Sequence, residues 1–429
     1  MVAKYQPSCF LLILYHLLAM NQILKKCFFP SLIFALAVAG CDSESVGPNE
    51  VRPVTIPANI ASGTTNFAFD FFKNLQETQP VNDNLFVSPL SLHMALGMLV
   101  NGTENETAQQ LLNALKMEGI SLDELNKAYK TLIDELPVAD SKVKLGLANS
   151  VWYRSGFQVE SNFQDVLKKS FNAEVGGLEF NDAAKAKINQ WASDKTNGKI
   201  KKVLDQISPD QVMFLLNALY FKGDWATKFD AKNTVDKPFK LEVGTDKTVK
   251  MMFNEAEYKV SESTKYKAVL LPYANSQFNM TVLIPQGETT VSQVVTSLTA
   301  HDWNELQSTK LSARKAKVGL PRFTLDYSAK LNETLKNMGI KKVFTGAAEL
   351  AKISKGGGLM VDFVKQDAYL GIDETGTEAA AVTTIGIGLT SAGPNVPEYI
   401  CDRPFVLVIS EKTSNTVLFM GRIMNPDSK

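Results

Sequence analysis

Residues 374–391 read Glu-Thr-Gly-Thr-Glu-Ala-Ala-Ala-Val-Thr-Thr-Ile-Gly-Ile-Gly-Leu-Thr-Ser, and they restrict the fold more than any other stretch. Alternate positions from Thr377 give Thr377, Ala379, Ala381, Thr383, Ile385, Ile387 and Leu389, small to aliphatic throughout. The other face holds Glu378, Ala380, Val382, Thr384, Gly386 and Gly388. That is the period of a strand with one buried face. The next residues, Ala392-Gly-Pro-Asn-Val-Pro-Glu398, have the composition of a loop rather than of a hairpin turn. Ala379–Val382 alone would favour a helix. Taken by itself the segment still fits an ordinary sheet strand.

The remaining chain is long enough to bury a large core, with 429 residues of which 45% are hydrophobic. No Pro/Gly/Ser-rich run, charge block or repeat interrupts residues 66–429, which predicts one large domain. Residues 1–40 carry three Lys and no acid, so removing them leaves 42 basic against 45 acidic residues. A net charge of −3 supplies no bulk attraction for nucleic acid or anionic lipid. The cluster Lys199, Lys201 and Lys202 reads as a solvated helix end.

The N-terminus reads as an address. Lys25 and Lys26 precede an apolar run from Cys27 to Ala37, too short for a membrane span, and Val38-Ala-Gly-Cys41 follows. That end resembles the lipobox of bacterial lipoproteins, with Cys41 as the lipidated residue. The apolar patch from Phe10 to Leu18 is surplus to this scheme, so Met20 is an alternative start. Residues 1–40 are thus expected to be a signal peptide and 41–60 a lipidated cysteine with a flexible tether. The domain is expected at 61–429, on a protein held in the bacterial cell envelope, on its periplasmic side or at the surface. Of the four cysteines only Cys401 is left inside that domain, so no disulfide is expected there.

Enzyme chemistry lacks its parts. After the leader the only histidines are His93 and His301. His93 lies in the apolar run Ser88-Pro-Leu-Ser-Leu-His-Met, where a satisfied structural histidine is the natural reading. There is no HExxH, CxxC, P-loop or GxSxG pattern. Gly356-Gly-Gly358 lacks the spacing of a dinucleotide fingerprint. No cofactor and no metal site are expected.

Helical periodicity marks 66–75, the segment opening at Ser88-Pro89, 106–115, 121–134, 161–170, 183–197 and 328–338. Strand-like runs fall at 148–153, 213–220, 280–284, 405–409 and 417–422. Mixed elements without strict βαβ alternation predict an α+β fold with largely antiparallel sheets.

The chain from about residue 61 resembles the serpins. The hinge Glu374-Thr-Gly376-Thr377-Glu378-Ala379-Ala380-Ala381 matches that family's inhibitory pattern. Asn84-Leu-Phe-Val-Ser-Pro-Leu-Ser91, Asn217-Ala-Leu-Tyr-Phe-Lys-Gly223 with Trp225, Leu320-Pro-Arg-Phe323, Asp402-Arg-Pro-Phe405 and Leu418-Phe-Met-Gly-Arg422 follow in family order.

The resemblance implies three β-sheets, about eight or nine helices and an exposed reactive-centre loop. It implies suicide inhibition of serine proteases, with cysteine proteases as the second class: the loop is cut, and its upstream half enters the large sheet. Small hinge residues suit that entry, and Gly376 is expected to let the backbone turn as it begins. Family spacing puts the scissile bond between Thr390 and Ser391, with Leu389–Thr390 next. No Lys or Arg lies between Thr375 and Ile400, which disfavours trypsin-like targets and leaves elastase- or subtilisin-like ones.

By the same resemblance Ser88, Ser91 and Asn217 form a polar cluster under the sheet and Trp225 marks where insertion starts. Gln366-Asp367-Ala368 stands where the family usually has His-Lys-Ala. Gln366 can still donate and accept hydrogen bonds, so the cluster is expected to persist without a pH-sensitive member. A monomer is expected, with loop-sheet polymers as a hazard of the exposed segment. The reading from another class is a non-inhibitory surface lipoprotein using the fold to bind or carry.

Overall fold

The computed structural model describes residues 50–377 and 396–427. Among these the helices are α1 (Ala58–Thr78), α2 (Pro89–Val100), α3 (Asn105–Ala114), α4 (Leu122–Glu135), α5 (Ser161–Phe171), α6 (Asp182–Lys195), α7 (Val291–Ser297), α8 (Ala300–Glu305) and α9 (Asn332–Asn337). The early strands are β1 (Leu85–Val87), β2 (Val143–Arg154), β3 (Glu174–Leu178), β4 (Met213–Asp224), β5 (Val235–Phe239), β6 (Lys247–Glu262), β7 (Tyr266–Pro272) and β8 (Phe278–Pro285). After them come β9 (Ser312–Pro321), β10 (Phe323–Lys330), β11 (Lys365–Ile372), β12 (Gly376–Thr377), β13 (Glu398–Ile400), β14 (Phe405–Glu411) and β15 (Val417–Ile423).

Hydrogen bonding joins the strands into two connected sets. One has six strands in the order β10-β11-β12-β4-β2-β3; the other has nine, β1-β15-β14-β8-β7-β6-β9-β13, with β5 beside β6. The three sheets expected of the fold merge into these two because β6, sixteen residues long, belongs to both halves of the larger set. Its stretch Met251–Val260 pairs with β9, while Lys259–Glu262 pairs with β7.

Local sequence explains the central elements. β8, β14 and β15 are buried at every position, which is why they read as near-continuous apolar runs. Helix α2 is apolar on all sides and therefore lies inside. Its start is fixed by Ser88, whose side chain accepts from Ser91 N–H, and by Pro89 in the first turn. His93, on α2, is fully buried: Nε2 donates to Leu115 O (3.1 Å), and Nδ1 faces Tyr129 Oη at 2.8 Å. Desolvation lowers its pKa to about 4, so it is a neutral packing group.

Three expectations need correction. Residues 328–330 belong to strand β10, because Phe323, Leu325 and Ala329 face inward at period two; the helix is only Asn332–Asn337. Helix α1 starts at Ala58, not 66. The stretch assigned to the tether is docked in its last part. Val54 is 1% exposed and exchanges both backbone bonds with Thr413 Oγ1, at 2.8 and 3.3 Å. The leader and Cys41 lie outside the described residues.

Candidate functional site

The hinge sits where β11 turns back into the sheet. Asp373 makes the turn: its Oδ1 accepts from Thr375 N–H (2.8 Å) and Gly376 N–H (3.2 Å), and its own N–H donates to Gly376 O (3.0 Å). The chain re-enters as β12, with Thr377 opposite Ile372 of β11 and opposite Gly223 of β4. Gly376 lies against β4 so closely that a Cβ there would stand 2.1 Å from Gly223 O. Its φ is not positive. Glycine is therefore required for room rather than for the turning expected from the sequence.

Trp225 covers this seat. Its Nε1 donates to Asp373 O (2.9 Å), its backbone N–H to Thr375 O (2.8 Å), and its ring stacks on Tyr273 at 4.7 Å. Tyr273 Oη meets Thr377 Oγ1 at 2.6 Å, and burial pushes that phenol above its ordinary pKa. Glu374 is held by Thr234 Oγ1 (2.7 Å) and lies 3.5 Å from the Arg322 guanidinium.

Beyond Thr377 no described residue continues the sheet between β4 and β11. Among the described residues β4 and β11 are joined only through β12, and beyond it a cavity of about 400 Å³ separates them. Ser91 and Leu92 of α2 line one side, and Trp191 of α6 lines another. In the middle lies the polar cluster. Gln366 Oε1 accepts from Ser88 N–H and its Nε2 donates to Ser88 O, both at 2.9 Å, so both capacities of the amide are used. Asn217 donates to Asn149 Oδ1 (2.7 Å), while its own buried Oδ1 has no hydrogen-bond partner among the described residues. Asp367 pairs with Lys365 at 2.9 Å on the opposite face of β11.

The structure thus brings together Ser88, Ser91, Asn217 and Gln366 at mid-slot, and Glu374, Gly376, Thr377 and Trp225 at its end. Glu378, Ala379, Ala380, Ala381 and the bond candidates Leu389, Thr390 and Ser391 fall outside the described residues. Asp373 escaped the sequence reading, which gave no role in the site to Tyr273 or to Gly223, the last residue of a matched motif. Only the Asp-x-x-Gly spacing of a turn could have signalled the first of them.

Residues 62–426 match the family model described as serpin, a serine protease inhibitor. The chain belongs to the serpin family. A relative named leukocyte elastase inhibitor, from Xenopus laevis, is 33% identical over 86% of this chain and 100% of its own length. The solved native structure of the thermophilic serpin tengpin covers 89% of this serpin and 97% of its own chain, at 29% identity and a TM-score of 0.79. Thyroxine-binding globulin, solved with thyroxine, aligns over 86% of this serpin and 100% of its own chain, with a TM-score of 0.78 at 24% identity. That last likeness shows the fold alone, and the fold does not separate inhibitors from carriers.

Proposed function

We propose that this serpin is a suicide inhibitor of serine proteases, and that its cut loop becomes the missing strand between β4 and β11. The observation that carries the reading is β12, two residues of strand at the head of an open slot.

The register is already set there. Continued from Gly376↔Asp224 and Ile372↔Thr377, it would bring Ala379 beside Phe221 and Leu370, Ala381 beside Leu219 and Ala368, and Thr383 between Asn217 and Gln366. These β4 and β11 residues face the main core, so the small-to-aliphatic face of the loop would face it too. Burying Ile385, Ile387 and Leu389 would contribute roughly 1.5–3 kcal/mol each, with new strand hydrogen bonds added. Thr383 would supply a hydroxyl to the unpaired Asn217 Oδ1.

The elastase inhibitor relative and a loop free of Lys and Arg support elastase- or subtilisin-like targets. The leader supports secretion, with lipid on Cys41 anchoring the protein in the cell envelope; Cys41→Ser should move it out of the membrane fraction. The decisive experiment mixes the purified protein with elastase, subtilisin and trypsin, followed by denaturing gels and mass spectrometry. A complex stable in detergent, with a released peptide starting at Ser391 or Thr390, supports trapping. Clean cleavage with no complex would leave a substrate-like or carrier protein.

A further inference from the structure

Near the far end of the slot two rings approach each other across it. Phe214 belongs to β4 and is 5% exposed; Phe363 lies two residues before β11. Their centroids are 6.3 Å apart at 50°, and both line the cavity. They do not face the main core. Phe214 packs with Trp152, Ile188 and Trp191 under α6, and Phe363 packs against the same cluster. The rings therefore bridge the slot on its α6 side.

Once a strand lies between β4 and β11, their backbones must stand about 9.6 Å apart, two strand spacings. The register of β12 puts residue 386 opposite Phe214, and the same count along β11, carried two residues past its start, puts it opposite Phe363. Even-numbered loop residues would then point to the α6 side, as Phe214 does. Residue 386 is glycine, in the run Ile385-Gly-Ile-Gly388. Any side chain there would rise into the space the two rings share.

We propose that Phe214 and Phe363 form an aromatic clasp over the lower slot, and that Gly386 is the residue matched to pass beneath it. This rests on the insertion reading above and adds to it a chain-specific limit on what the loop may contain. Ordinary strand chemistry would give the opposite result, because replacing an interior glycine strengthens a strand. Here a larger residue should obstruct.

The test uses the full-length protein cut in its loop by subtilisin, and reads the rate at which cut chains become heat-resistant. Gly386→Leu should slow that rate about tenfold or more, the scale of forced overpacking. Phe363→Ala in the same chain should restore it to within about threefold of the parent. Phe363→Leu should restore it in part, and it retains an apolar packing group if the alanine variant folds poorly. Unchanged kinetics in Gly386→Leu would overturn the clasp. So would a slowing that neither change at Phe363 relieves. If the unaltered protein gains no heat resistance after cutting, the insertion reading itself fails, and the clasp with it.

Discussion

The two ends of one slot differ in how far they are finished. At the hinge, Gly376 and Thr377 fill the space between β4 and β11, with Trp225, Tyr273 and Asp373 closed around them. A few residues on, the same two strands face a cavity, and the buried Asn217 Oδ1 has no partner among the described residues. A stable sheet would fill both ends alike. Among the described residues the sheet is begun at one end and open beyond it, and on the proposed reading its completion would be coupled to cleavage of the loop.

The comparison can be broken most strongly at its finished end. Thr377 is 4% exposed, and its hydroxyl meets Tyr273. Thr377→Arg should convert inhibitor into substrate, with loop cleavage intact and complex yield down by more than about tenfold, since an unpaired charge there costs several kcal/mol. Unaltered complex yield would contradict a closed seat at this position. Trp225→Ala should come next. It removes a ring 3% exposed together with its bond to Asp373, and should destabilise by about 3–5 kcal/mol, read as a lower thermal midpoint.

The third effect lies on the far side of α2 from the slot. His93 ordinarily titrates at 6.5 but is held near 4 by burial, so between these values the unfolded chain binds a proton that the native one does not. Its stabilising contribution is complete above about pH 6.5 and falls away down to about pH 4, by roughly 3 kcal/mol in all. Denaturant midpoints at several pH values should track that slope, and His93→Gln should flatten it. The smallest change is Gln366→Ala. It leaves the Ser88 N–H unpaired, while the Ser88 carbonyl keeps its bond from Leu92 N–H, and should cost about 1–3 kcal/mol without the acid dependence of His93.

Gly376 and Thr377 lie in a strand, in keeping with the alternation read there, while the rest of that alternation falls outside the described residues. Helix α2 was legible through Ser88-Pro89. Strands β6 and β9 were missed because charged residues at their exposed positions, Lys and Glu in β6 and Arg and Lys in β9, thin the apolar signal. The partners of the seat were out of reach for another reason. Thr377 meets a residue 104 positions away and Asp373 meets one 148 away, so no window of sequence contains both members.

The two seated residues have a kinetic consequence. A strand joining a sheet from solution must first find its register and lose the entropy of closing a loop before any contact rewards it. Here alignment and first pairing exist before any bond is cut. On the proposed insertion only elongation would be left, one residue after another, like a zip with its slider already engaged. If the protein inhibits as proposed, the outcome would be a race between that elongation and the protease completing hydrolysis of the cut bond, with the hinge giving the chain a head start.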